Sequence, residues 1–314
     1  ANPSLFAVGL PLVPEAFLPG VKAFYHRNLG LDGDRSFGIG PFFPYEAIFA
    51  LIGYQDNITP QNPEAVWGKT LEDTQKGFYS WRNRWQDRND FVASIYLKTQ
   101  HLKGSWSFPD AGSFRIWGLG EQWAIAGASE AEPENENIVV TANSDNQGSQ
   151  QTYAKTTPDG SGIVTMVKDN WLRSFAVDYS QASGTPGLFA IVDRFELSET
   201  QDFQPKTWVL NVTGTVTIQD SSFTITAPSG ATMRGTFISP QGVQLSYKTT
   251  ETGGVIRAVG INDFFVVLTV QSAAIPQVLI EGSGLDAVAQ VGKQKIAFDG
   301  SKIILEEIPW TSSN

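Results

Sequence analysis

The sequence predicts a mainly β protein: a large antiparallel β-sandwich preceded by a short helical segment. Three observations carry this. From about Gly77 onward, apolar and polar residues alternate with period two in one short segment after another. Turn residues separate the segments, as in Pro158-Asp159-Gly160, Gly184-Thr185-Pro186-Gly187, Gly253-Gly254 and Asp299-Gly300. No helical pattern intervenes, which favours antiparallel pairing over βαβ units. The composition permits such a core: 314 residues, 41% hydrophobic and 17% charged, is not the balance of a disordered chain. That length predicts two parts, a helical segment over 1–76 and the sandwich over 77–314.

Along the chain, Glu15–Asn28 spaces Phe17, Leu18, Val21, Phe24 and Tyr25 as on a helix, with Pro19-Gly20 interrupting it early. Leu29-Gly30 is a plausible stop. Ala47–Leu51 continues an apolar stretch as a second helix, and Pro60–Pro63 is a loop. Tyr79–Trp85 then reads as a strand, Gln86–Asn89 as a turn and Asp90–Leu97 as a second strand. Ser113–Trp117 and Gln122–Ala126 flank Gly118-Leu119-Gly120, a hairpin signal. Short strands recur from Ile138 to Glu306, and Asn143–Gln151 is a polar loop.

Charge is unevenly spread. The chain carries −10 overall, yet residues 76–115 hold seven basic against three acidic residues, which leaves −14 on the other 274. The same stretch is rich in aromatics, and six of the nine Trp fall between Trp67 and Trp123. Cations beside aromatic faces suit an anionic polymer with stackable rings. The general acidity repels nucleic acid and anionic membranes on average, while the basic, aromatic stretch suits either a single-stranded nucleic acid or an acidic polysaccharide or oligosaccharide. No run of 18 apolar residues is present. Ala1 onward lacks a basic n-region and an h-region, so the sequence reads as a mature form or a fragment.

The absence of Cys removes disulfides, thiolate metal sites and a Cys nucleophile. Two His, His26 and His101, exclude a three-His zinc site. His101 lies in the basic stretch and is a candidate base or carboxylate-neutralising group. His26 reads as a surface or cap residue. No Gly-x-Ser-x-Gly elbow, P-loop or dinucleotide fingerprint occurs, and Ser161 falls in an ordinary turn. Asp87 and Asp90 share one turn and read as partners of Arg84 or Arg88. Asn57-Ile58-Thr59 and Asn211-Val212-Thr213 match the glycosylation sequon.

Residues 79–127 contain Tyr79-Ser80-Trp81-Arg82, Trp85 and Asp90, then a strand, then Asp110-Ala111-Gly112-Ser113-Phe114 leading into the Gly118 hairpin. This resembles the start of the β-sandwich in the heparinase II/III-like polysaccharide lyases, with an RS-x-W strand, a segment ending in Asp-x-x-Ser-Phe and a hairpin turning at Gly. Leu172-Arg173-Ser174-Phe175, Ile191-Val192-Asp193-Arg194 and Trp208–Asn211 look like the later strands of that family. The resemblance implies that residues 1–76 are the end of an (α/α) toroid, whose remainder would belong to a separate or cleaved chain. The family's His-x-His-x-Asp frame reads Trp106-Ser107-Phe108-Pro109-Asp110 here. Its later metal Asp would fall near Ile125–Gly127, and its His-Asn pair on Glu136-Asn137. No metal and no cofactor is therefore expected.

The activity implied by the resemblance is β-elimination on a uronic-acid polysaccharide by a secreted or periplasmic protein. Neutralising the sugar carboxylate stabilises the enolate-like transition state, a base removes the C5 proton, and an acid protonates the leaving oxygen. The implied catalytic candidates are His101, Tyr79 and Tyr96. The implied substrate-binding candidates are Arg82, Arg84, Trp85, Trp106, Asp110 and Arg115. Neighbours on one strand face opposite ways, so Trp81 and Arg82 cannot both meet a ligand. A non-catalytic carbohydrate-binding or scaffolding module is the main alternative, and a glycoside hydrolase on the same architecture the second.

Overall fold

The computed structural model describes residues 9–29, 52–100, 108–127, 132–141, 144–196, 205–260, 263–272 and 274–308. The chain divides into two compact units, one formed by 1–69 with 84–90, the other by 70–83 with 91–314. The expected Ala47–Leu51 helix lies outside the described residues.

In the first unit, α1 (Leu18–Leu29) and the one-turn α2 (Glu64–Trp67) are α-helical, as are Ile52 and Gly53. Pro19 does not break α1, because it falls in the first turn, where its missing N–H has no intrahelical acceptor to serve. Leu10, Leu18 and Tyr25 form a small core against Val13, Val21, Tyr54 and Ile58.

The described residues of the second unit are mainly strands, paired antiparallel, with 3-10 turns at Pro133–Asn135 and Gly284–Asp286. Its first sheet holds β1 (Thr70–Asp73), β2 (Phe78–Arg82), β3 (Val92–Tyr96), β4 (Ser113–Gly118) and β5 (Glu121–Ala124), paired in that order. There follow β6 (Val139–Val140), β7 (Gln150–Thr156), β8 (Gly162–Lys168), β9 (Trp171–Asp178), β10 (Gly187–Phe195) and β11 (Lys206–Val212). Next come β12 (Thr215–Gln219), β13 (Ser222–Thr226), β14 (Thr232–Ser239), β15 (Gln244–Thr250), β16 (Gly253–Gly260) and β17 (Phe264–Gln271). The chain ends with β18 (Val278–Glu281), β19 (Val288–Val291), β20 (Gln294–Phe298) and β21 (Ile303–Glu307). An eight-stranded sheet runs β12-β13-β14-β17-β10-β9-β8-β7, a four-stranded one β15-β16-β11-β6, and a last one β18-β19-β20-β21.

The eight-stranded sheet is covered on both faces over its centre. Phe175, Phe189, Ile191, Val266 and Leu268 join Trp81, Phe114 and Trp208 from the first and third sheets in the main core. On the opposite face Leu188, Ala190, Val192 and Val267 meet Ala289, Val291 and Ile296 of the last sheet. This double burial explains why Phe264–Val270 is almost unbroken apolar sequence instead of an alternation.

The β4–β5 hairpin turns at Leu119 (φ 56°) and Gly120 (φ 79°), and two successive positive φ angles are the type I′ requirement. Three strands lie where the sequence showed none: β1 inside the expected helical segment, β7 overlapping the expected polar loop, and β12.

One buried ion pair ties the layers together. Arg173 of β9 donates Nε to Asp193 Oδ1 at 2.7 Å and Nη2 to Oδ2 at 2.9 Å, with both side chains fully buried. Its Nη1 donates to the carbonyls of Gly112 (2.8 Å) and Asn137 (2.6 Å), and Trp171 Nε1 donates to Asp193 at 2.8 Å. Every charge is thereby matched, the condition for a buried pair to be tolerated.

Candidate functional site

The first sheet buries one face and leaves the other partly open. Tyr79, Trp81, Ala93, Ile95, Phe114 and Ile116 point into the core, so their neighbours point out. The register places Arg82, Val92 and Trp117 in one row across β2, β3 and β4, with Ser80, Ser94 and Arg115 in the next. Phe78, Tyr96 and Ser113 form a third row. The outer face thus unites Arg82, Tyr96 and Arg115 of the candidates, and adds Trp117, 44% exposed. Trp117 was legible as the residue two positions beyond Arg115 on the same strand.

Each cation on this face is already engaged. Arg115 Nη2 lies 2.8 Å from Glu136, and Nη1 donates to Ser113 Oγ at 2.6 Å and the Phe114 carbonyl at 2.9 Å. Arg82 is half-buried beside the fully buried Tyr179. Burial pushes the Tyr96 phenol above its usual value, and the carboxylates of Asp110 and Asp73 add to the effect. Tyr96 therefore stays protonated at neutral pH and suits donating a proton better than removing one.

Other candidates lie elsewhere. Tyr79 is fully buried on the core side, stacked on Trp81 at 5.9 Å, with its hydroxyl donating to Gln151 Oε1. Asp110 accepts from Lys98 Nζ at 2.9 Å, and Lys98 is itself buried and donates also to the Phe108 carbonyl. Arg84 and Trp85 sit on the 84–90 loop of the first unit. Arg84 Nε donates to the buried Asp90 at 2.9 Å, as the shared turn suggested. Trp85 packs on Trp67 at 5.6 Å and donates to the Gly68 carbonyl at 2.6 Å. His101 and Trp106 lie outside the described residues. The basic stretch is not wholly a surface feature, because Lys98 is internal.

The donors that stand in the family's metal frame do not fit a metal ion. Asp110 is committed to Lys98, Glu136 to Arg115 and Ser113, and Ile125–Gly127 offers no acid. Among the described residues no cluster of three or more His, Asp or Glu is placed to hold one. The second sequon is closed as well. Asn211 is buried, its Nδ2 donating to the Glu134 carbonyl at 3.1 Å.

No protein-family model matches the sequence, and no curated protein sequence matches it. Solved structures do. A heparinase III gene product superposes with a TM-score of 0.55 at 15% identity, over 91% of this chain and 47% of its own. The heparan sulfate lyase HepC from Pedobacter heparinus gives 0.56 at 12% identity, over 93% and 48%. The chain has the fold of the C-terminal part of heparinase III. It spans about half the length of these heparinase III structures and matches their C-terminal part. Identities this low speak to fold, and the strand framework of the heparinase III-like sandwich is what they support. Among the described residues no helix is long and apolar enough to cross a membrane.

Proposed function

We propose that this chain is the C-terminal part of a polysaccharide-active protein, a lyase that cleaves a uronic-acid polysaccharide by β-elimination outside the cytoplasm. The observation that supports it best is the union of Arg82, Arg115, Tyr96 and Trp117 on one open sheet face of a heparinase III-like sandwich. Arg82 and Arg115 would receive the sugar carboxylate, with Glu136 and Ser113 holding Arg115 in position. Fixed donors aimed at developing enolate charge supply most of such catalysis. Trp117 offers a stacking surface, Tyr96 the proton for the leaving oxygen, and His101 the base. A toroid portion on a separate or cleaved chain would complete the site.

The test is incubation with a panel of uronate polymers, following the ultraviolet absorption of 4,5-unsaturated ends. Tyr96→Phe should lower kcat by about 10²-fold or more. Arg115→Gln should raise KM. A second reading, a non-catalytic carbohydrate-binding module, is favoured by the pairing of Arg115 and Lys98 with carboxylates, which leaves little free positive charge. No unsaturated product once the toroid portion is supplied alongside this chain, with polymer binding retained, would sink the lyase and select the module.

A further inference from the structure

The open face of the first sheet holds a carboxylate that is bonded on one side only. Both donors that reach Glu136 arrive at the same oxygen: Ser113 Oγ donates to Oε2 at 2.6 Å, and Arg115 Nη2 donates to it at 2.8 Å. Oε1 accepts no hydrogen bond among the described residues and is not a buried atom. The side chain is 12% exposed. Two strong donors thus fix the carboxylate through Oε2 and leave Oε1 open to a ligand. Buttressing Arg115 requires Oε2 alone.

Two other acids act on Tyr96, and both are bound differently. Asp73, in the row of Phe78, Tyr96 and Ser113, accepts from the backbone N–H groups of Gln75 and Lys76 at 3.1 and 3.0 Å and closes the β1–β2 turn. Asp110 is held at 2.9 Å by Lys98, which is buried. Glu136 is the one of the three that shares an outward-facing guanidinium with any anion Arg115 receives.

That sharing sets its reach. The acidic C5 hydrogen of a uronate lies one carbon away from the carboxylate. A sugar carboxylate seated on Arg115 therefore brings C5 beside the guanidinium that Glu136 already contacts. Ser113, which holds Glu136, stands opposite Tyr96 in register, so a proton donor is placed about 5 Å away across the strands. The substrate's own negative charge, brought next to Glu136, favours proton uptake there, because like charges disfavour the ionised form.

We propose that Glu136 is a further catalytic residue, the base that takes the C5 proton through Oε1. This role presupposes the lyase reading and transfers the abstraction from His101. Oε1 bonds to the C5 hydrogen, and the C5–H electron pair becomes the second bond between C4 and C5. The C4–O bond breaks with its pair, and the leaving oxygen takes the Tyr96 proton. Water then removes the proton from Glu136 and returns one to Tyr96.

The test uses the full chain with the toroid portion supplied, on heparan sulfate, hyaluronan and alginate, with isothermal titration of a tetrasaccharide from each. Glu136→Gln keeps an acceptor for Ser113 and Arg115 and cannot take a proton. It should lower kcat by about 10²-fold or more, with KM within about threefold and tetrasaccharide binding equal or tighter. Glu136→Asp, which retains the base but draws it back, should lower kcat more than it raises KM. A merely structural Glu136 predicts the reverse, a raised KM and weaker binding at nearly unchanged kcat in both variants, and that result would overturn the proposal. So would an inactive His101→Ala beside an active Glu136→Gln, which returns the base to His101 and leaves the lyase reading standing. No product from the wild-type protein on any polymer removes both.

Discussion

Arg173 and Asp193 show how much one residue pair decides in this protein. Arg173→Met would leave the Asp193 carboxylate fully buried with Trp171 Nε1 alone, and would orphan the carbonyls of Gly112 and Asn137. Breaking a buried pair from one side costs about 3–5 kcal/mol, so urea denaturation should show a loss of that order. Replacing both, as Arg173→Met with Asp193→Leu, should recover part of it, because no lone charge then remains buried. Asp178 behaves in the opposite sense. Burial lifts its carboxyl above the usual carboxylate range, outweighing the bond from Ser180, with Asp159 and Glu307 adding to the rise. A folded-state pKa above the unfolded one gives stability that is fully present below the unfolded value and lost as pH rises through the folded value. Asp178→Asn should therefore raise Tm at pH 7, and thermal melts toward pH 4 should show the gain shrinking. Sequence could pair Arg84 with Asp90, because they are six positions apart on one turn. It could not pair Arg173 with Asp193 or Lys98 with Asp110, since those contacts join residues twenty and twelve positions apart that only the folded chain brings together.

At the scale of the element, the strands that the sequence concealed share a position. β1 is an edge of the first sheet, and β12 and β7 are the two edges of the eight-stranded sheet. An edge strand buries little: no residue of Gln150–Thr156 or Thr215–Gln219 is fully buried, and both are rich in Thr and Gln. The strands with strong alternation, β2 to β5, were legible because one face of that sheet meets the core and the other does not. The entry to β4 depends on a backbone conformation. Gly112 has φ +82°, and a Cβ there would stand 2.5 Å from Met166 Cε and 3.0 Å from Trp171. Gly112→Ala combines left-handed strain with overpacking and should cost about 2–4 kcal/mol. Chemical denaturation would measure it, and a cost of only about 1–2 kcal/mol would show that Met166 swings aside and the left-handed strain alone remains.

For the whole molecule, charge is the quantity that folding redistributes. The +4 stretch of the sequence becomes an internal Lys98–Asp110 pair, a buttressed Arg115 and a loop cation, Arg84, in the other unit. Binding of an acidic polysaccharide should then show a shallow salt dependence, with log K against log salt falling with a slope of about one or two instead of about four. Titrations between low and physiological salt would check this, and a slope near four would mean that the paired cations are released on binding. Alternation and turn residues were sufficient, by themselves, to determine a mainly β antiparallel fold and the succession of most strands along the chain. These signals are local, set by the two-residue period of a strand and the φ angles of its turns. Only the tertiary structure decided which candidates meet: Arg82, Tyr96 and Arg115 beside Trp117 on one partly open face, Tyr79 in the core, and Arg84 and Trp85 on the 84–90 loop of the first unit. Register and layer order decide such meetings, and they follow from packing between residues far apart in the chain, which no local pattern encodes.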